Sequence, residues 1–303
     1  MWVEILKSLT LVIVRIKDVH FNPYNLIKFY VGNITEPQTV KIYTDSNTSV
    51  DVTVSEGNKW YSYLLPNDKG LYTIKGNNSD VFSDNIITKV IVNANISYSS
   101  SGTFIPIIPI SIIEAYFKGS NTSNITDMSH MFNFCSGLTS LDVRNFDTSK
   151  VTNMNDMFGD CSGLTSLDLS RFNTSNVTSM MGMFSGCKGL TSLDVSNFNI
   201  SNVTTMYQMF HRCRNLTSLN LRNFNTSNVD NMGFMFDGCS GLTSLDLSGW
   251  NMSNVTSMNG MFSGCSSLRT IKMIGCKQPT IDKIKERLTA DGISLDNVNF
   301  ITK

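Results

Sequence analysis

The sequence predicts a β-rich protein in two parts, an amino-terminal β-sandwich followed by a solenoid of stacked short repeats. Three observations carry this. Cys135, Cys161, Cys187, Cys213, Cys239 and Cys265 stand 26 residues apart without insertion or deletion. The first 95 residues alternate short apolar runs with turn clusters of Asn, Gly, Asp, Ser and Pro. A longer helical apolar period follows the last repeat. At 303 residues the chain has room for one or two domains, and its 41% hydrophobic content is enough to build a core. Charged residues make up only 16%, below the roughly 25% of an ordinary soluble domain. The 24 basic and 24 acidic side chains cancel, so no general electrostatic footprint for nucleic acid or anionic membrane is expected. No stretch approaches the roughly 18–20 apolar residues of a membrane span.

In the first part, apolar runs at Leu9–Ile16, Leu26–Val31, Thr39–Tyr43, Val50–Val54, Trp60–Leu65, Leu71–Ile74 and Ile86–Val92 predict seven short strands. Their number and spacing suggest an immunoglobulin-like sandwich over residues 1–95. The cysteine pair of antibody domains is absent, since the first cysteine is Cys135. The run near the start is cut off by Arg15, Lys17 and Asp18 and reads as a strand, not a secretory signal. Residues 96–119 contain a Ser-rich stretch and an Ile- and Pro-rich run from Ile105 to Ile110. They predict a linker and an amino-terminal cap, because an open repeat end must be covered.

Residues 120–276 hold six 26-residue units. Further columns keep the period: Ile125, Val151, Val177, Val203, Val229 and Val255, and Met128, Met154, Met180, Met206, Met232 and Met258. A unit this short cannot bury its own apolar face, so copies must stack. Within a unit, the alternation at Leu164, Leu167 and Leu169 predicts one short strand, and the three- and four-residue steps of Val151, Met154, Met157 and Phe158 predict one short helical turn. Gly159, Gly186, Gly238 and Gly264 follow that turn, where a left-handed exit is expected. Beyond the repeats, Pro279, Ile281, Ile284, Leu288 and Gly292 mark a helix with a start and a stop, so residues 277–303 predict a helical carboxy-terminal cap with a last strand at Val298–Ile301.

The pattern Leu164-x-x-Leu167-x-Leu169-x-x-Phe172, followed by Asn-Thr-Ser-Asn-Val-Thr and then Met-Phe-x-x-Cys, resembles the BspA-like leucine-rich repeat of bacterial surface proteins and some phage proteins. The resemblance covers about half the chain. It implies a curved leucine-rich-repeat solenoid used for extracellular attachment, with strands on the concave face. It implies no enzyme and names no receptor.

Candidate chemistry is sparse. Equally spaced cysteines lack the close pairs of a zinc site and read as a buried column of free thiols; the methionine columns read as core. His20, His130 and His211 are isolated, and no catalytic set, phosphate loop, metal site or cofactor is expected. Asp142, Asp168, Asp194, Asn220 and Asp246, followed by Lys272, occupy the outward middle position of the predicted strands. They are a candidate binding strip, or else a face kept polar for solubility. The fourth unit departs from the others with Tyr207, Gln208, His211, Arg212, Arg214 and Arg222. Tyr and Arg dominate recognition sites, although drift at exposed positions would look the same. Asn-x-x-Asn elements recur at Asn173/Asn176, Asn199/Asn202, Asn225/Asn228 and Asn251/Asn254 and predict stacked turns.

These readings lead to the expectation of a non-enzymatic structural or binding protein. A phage virion component such as a fibre, tail or capsid-decorating protein is favoured, with a bacterial cell-surface adhesin as the alternative. The expected partners are other virion or surface-assembly proteins through the amino-terminal domain, and a host-surface protein or glycan through the solenoid.

Overall fold

The computed structural model describes residues 26–31, 37–43, 49–64, 72–75, 87–93, 96–99, 114–116 and 122–303. The predicted first strand, Leu9–Ile16, lies outside them. In the amino-terminal part, runs rich in β-branched and aromatic residues form β1 (Leu26–Val31), β2 (Gln38–Tyr43), β3 (Ser49–Val54), β4 (Lys59–Leu64), β5 (Tyr72–Lys75) and β6 (Ile87–Asn93). β1 lies between β4 and β6, antiparallel to both, and β2 pairs antiparallel with β3. Ile96–Ser99, expected within the linker, is a strand (β7) paired parallel with β5. Glu114–Tyr116 forms β8, which pairs parallel with β6 on one side and with β9 (Ser140–Asp142) on the other. One sheet of order β4-β1-β6-β8-β9 therefore runs from the amino-terminal strands into the first repeat.

From residue 122 the chain is mostly non-helical and stacks in 26-residue coils. β10 (Ser218–Asn220), β11 (Ser244–Asp246) and β12 (Thr270–Lys272) pair parallel and in register, so that Leu219, Leu245 and Ile271 sit side by side. The same segments of the second and third coils do not form regular strands. A second parallel ladder links Asp127, Asn153, Ser179, Thr205, Asn231 and Ser257 as single bridges. This in-register stacking is compatible with a repeat solenoid.

The expected helical turn is replaced by a ribbon of turns, and its hydrogen bonds show why. The backbone N–H groups of Met128, His130, Phe132 and Phe134 donate to the carbonyls of Asn153, Asn155, Met157 and Gly159 in the next coil. The intervening Met131, Asn133 and Cys135 donate three residues back along their own coil. A helix would spend all these donors on itself and leave nothing to hold its neighbour. The alternation requires left-handed backbone at two positions per coil: φ is +59° at His130 and +63° at Phe134, and the same holds at each 26-residue step. Gly186, Gly238 and Gly264 occupy the second column as anticipated, but in the second coil that place belongs to Asp160 (φ +53°) and not to Gly159.

Between the two ladders lies the core. Phe132, Phe158, Phe184, Phe210, Phe236 and Phe262 stack ring on ring, with centroids 5.6 to 5.8 Å apart. The Cys, Met and Val columns are buried around them, apart from half-buried Met258. Trp250, standing in a Phe slot, donates its indole N–H to the Leu221 carbonyl at 3.0 Å, and Cys276 in the next coil repeats that bond with its thiol to Leu247 at 3.3 Å.

The stack ends on α1 (Gln278–Ala290), which has Pro279 in its first turn and buries Thr280, Ile281, Ile284 and Leu288. β13 (Asn299–Ile301) then completes the strand ladder against β12. The cap also imitates a seventh coil chemically. In the first five coils the core Phe N–H donates to the next coil's Met carbonyl; in the sixth, Phe262 N–H donates to Asp291 Oδ2 at 2.9 Å. Lys283 Nζ donates to the carbonyls of Met252 and Val255 at 3.2 and 2.6 Å.

Candidate functional site

The strip residues recur at one position of the coil, Asp142, Asn220 and Asp246 within β9, β10 and β11 and Asp168 and Asp194 in the matching non-strand segments. Asp142 and Asp246 are half-buried, whereas Asp168, Asp194 and Asn220 are exposed. Each one closes a local turn. Oδ1 of Asp142, Asp168, Asp194, Asn220 and Asp246 accepts the backbone N–H two residues on, from Arg144, Ser170, Ser196, Arg222 and Ser248, at 2.9 to 3.3 Å. Asp142 also takes a two-pronged bond from the Arg144 guanidinium (2.9 and 2.8 Å), and Asp168 takes the Ser170 hydroxyl at 2.7 Å. These donors hold the carboxyls of Asp142, Asp168 and Asp194 below the usual carboxylate range, through Arg144, Ser170 and Ser196 respectively. A shallow cleft of about 280 Å³ is lined by Ser140, Leu141, Asp142, Arg144 and Asp168. The strip is thus a set of turn closures that offset the mutual repulsion of stacked carboxylates.

Other recurring polar groups bind coil to coil. Each of Cys161, Cys187, Cys213, Cys239 and Cys265 directs its thiol at the carbonyl of the previous coil's core Phe, at 3.0 to 3.1 Å. Burial raises the thiol pKa throughout the column, to about 12 at Cys135, so these are inert thiols and not nucleophiles. The Asn elements divide their work. Asn173, Asn199, Asn225 and Asn251 accept the N–H two residues on, while Asn176, Asn202, Asn228 and Asn254 donate Nδ2 to a Ser carbonyl of the previous coil at 2.6 to 2.7 Å.

The fourth coil carries several side chains that depart from the other copies. Tyr207, half-buried, meets Phe234 edge to face with centroids 5.9 Å apart, over the bare backbone of Gly233. His211 Nδ1 lies 3.1 Å from Asp237 Oδ2, without the alignment of a hydrogen bond. Burial pushes the His211 pKa down, the Asp237 charge opposes this, and Arg212 adds to it. Arg212 and Arg214 are exposed and make no side-chain hydrogen bond or ion pair among the described residues. Arg222 is set apart from them, just beyond β10 on the strand ladder. The candidate group therefore divides into Tyr207, His211, Arg212 and Arg214 on the turn ribbon and Arg222 elsewhere.

Sequence reading missed two features of the ribbon. Lys188 occupies the third-coil position that Arg214 occupies in the fourth, where the other four coils have Ser136, Ser162, Ser240 and Ser266. Gly182 and Gly260 share the left-handed column of His130, and that recurrence was the available signal. A second group spans the first and second coils, where His130 Nδ1 is 3.7 Å from Asp156 Oδ2 and burial raises the Asp156 pKa. Among the described residues, no group of three or more His, Cys, Asp or Glu side chains is arranged to hold a metal ion.

No curated protein and no solved structure matches the chain. A family model described as "Mycoplasma protein of unknown function, DUF285" matches residues 111–215 and 190–278, more than half of the 303 residues and the whole of the repeat stack. Its span coincides with the Phe, Cys and Met columns that build the core, and the chain belongs to this family.

Proposed function

We propose that the chain is a non-enzymatic attachment protein. In this reading the amino-terminal strands pack as an immunoglobulin-like sandwich that anchors it to an assembly, and the BspA-like leucine-rich-repeat stack displays a recognition surface. One observation carries it: the periodic Cys, Asn and Asp groups are taken up by bonds within or between coils, while Arg212 and Arg214 stand exposed and, among the described residues, unpaired on the turn ribbon of the fourth coil, next to half-buried His211 and on the same coil as half-buried Tyr207. A scaffold uniform in its core and singular at one surface site is what display requires. The sequence-based expectation was a phage virion, with a bacterial surface as the alternative; the family description names Mycoplasma and no location.

Beads coated with the full chain test the attachment reading on a panel of host cells. Adhesion that is reduced by replacing Arg212 and Arg214 supports it; beads that adhere to no cell type refute it. Gold-labelled antibody on intact bacteria and on purified phage separates the two locations.

A further inference from the structure

The fourth-coil site, if it is the recognition surface proposed above, has a charge that specifies its ligand. Lys188 and Arg214 occupy one column on neighbouring coils, which stack at about 4.8 Å. Like charges placed opposite one another on a ladder destabilise it, and the other four coils avoid this with serine. Arg212 adds a third cation two residues from Arg214. It holds a left-handed backbone, φ +57°, where the third, fifth and sixth coils use glycine and the first and second carry Phe134 and Asp160. Strain of this kind in an exposed, unpaired arginine points to use by a ligand. Its surroundings are cleared as well: Gly186 precedes it and Gly238 follows it in the column, and a Cβ on Gly238 would lie 3.2 Å from Arg212 Cγ. Lys188, Arg212 and Arg214 make no side-chain hydrogen bond or ion pair among the described residues. Three unpaired cations within two coils are a site for clustered anionic groups.

The neighbours narrow the class. Tyr207 and Gln208 sit on the same coil, giving a ring and an amide suited to a sugar and its hydroxyls. Asp156 and Asp160 two coils before, and Asp237 one coil after, would repel a polyanion that ran along the whole ribbon. We infer that Lys188, Arg212 and Arg214, with Tyr207 on the same coil as the two arginines, bind a short stretch of an acidic polysaccharide, its sulfate or carboxylate groups bridging the two coils.

The test uses substitutions that other coils already carry, so that folding is not at stake: Lys188→Ser, Arg212→Gly and Arg214→Ser, combined in one full-length variant. Arg222→Ser, taken from the same logic on the strand ladder, is the control. Binding is measured by biolayer interferometry on immobilised heparin, hyaluronan and neutral dextran. The expected result is binding to heparin or hyaluronan but not dextran, weakened at least tenfold in the triple variant, unchanged in Arg222→Ser, and weakened by added salt. Equal binding by the triple variant, or equal binding to dextran, overturns the assignment. If neither acidic polysaccharide binds while coated beads still adhere to cells through Arg212 and Arg214, the ligand class is wrong and the attachment reading stands. If neither polysaccharides nor cells are bound, both fall.

Discussion

Replacing Asp291 with alanine should expose how the stack is closed. The Asp291 side chain is only 3% exposed and has three partners: Arg287 Nη2 at 2.6 Å, Phe262 N–H at 2.9 Å and the Ser263 hydroxyl at 3.3 Å. Asp291→Ala leaves the Arg287 guanidinium four-fifths buried without its counter-charge and strips the acceptor from the last N–H of the core Phe series. Breaking a buried pair in this way costs about 3–5 kcal/mol, a large part of the roughly 5–15 kcal/mol that holds a domain together. With a urea slope near 3 kcal/mol/M, the midpoint should fall by roughly 1–2 M. Because a stack frays from its ends, amide exchange should rise first over residues 258–265. Asp282→Ala, which removes an exposed bond to Gln278, should change neither quantity. Arg287→Met and Asp291→Asn, alone and together, should show non-additivity of about 0.5–3 kcal/mol. An Asp291→Ala cost below about 1 kcal/mol, with exchange unchanged at residues 258–265, would refute the claim that this carboxylate stands in for a seventh coil.

Three further outcomes follow from the same geometry. Gly182→Ala should destabilise by about 2 kcal/mol or more, because φ is +60° and the new Cβ would collide with Asp156 Oδ1; Gly292→Ala, at φ +83° with open space around it, should cost only about 1 kcal/mol, both read by urea unfolding. Cys187→Ala should lower stability by about 1 kcal/mol while leaving binding unchanged, and intact protein should resist alkylation at neutral pH, since burial raises the thiol pKa. The lowered pKa of His211 means the folded state holds its neutral form more strongly than the unfolded chain does. Its contribution is therefore present above the unfolded value of about 6.5 and lost as pH falls below it, a dependence that His211→Asn should remove in a melting series from pH 7.5 to 5.

The columns were readable because stacking gives each core position the same environment in every coil. Phe132, Met154 or Cys187 can be assigned to the interior from recurrence alone. The ribbon was not readable from the same residues. Met154, Met157 and Phe158 face the core at three- and four-residue steps, and that spacing suits a helical turn and a ribbon of alternating hand equally well. The distinguishing signal was conformational: glycine at 182 and 260, and at 186, 238 and 264, marks two left-handed columns four residues apart, which no helix contains. In the Asp column, Asp168, Asp194 and Asn220 are exposed and Asp142 and Asp246 half-buried, and the bonds to the N–H groups of Ser170, Ser196 and Ser248 depend on turn geometry that a spacing rule does not carry. Asp291 and Lys283 lay outside the period altogether, since a cap is by construction the place where repetition stops.

The left-handed columns also explain how such a stack can vary one site without disturbing the rest. A side chain there points away from the Phe core and leans onto the next coil: Asp156 onto Gly182, Asp160 onto Gly186, Arg212 onto Gly238 and Phe234 onto Gly260. The receiving residue in these four pairs is glycine, which suits both the positive φ and the space the neighbour takes; Asp156, Asp160 and Phe234 hold the same left-handed positions after His130, Phe134 and Gln208. Holding a larger residue in this conformation costs roughly 1–2 kcal/mol, so glycine is the stable choice wherever nothing else is selected. Arg212→Gly should therefore raise thermal stability while weakening polysaccharide binding. That opposite movement separates a retained recognition residue from one that merely drifted, because loss of a drifted residue would raise stability and leave binding where it was.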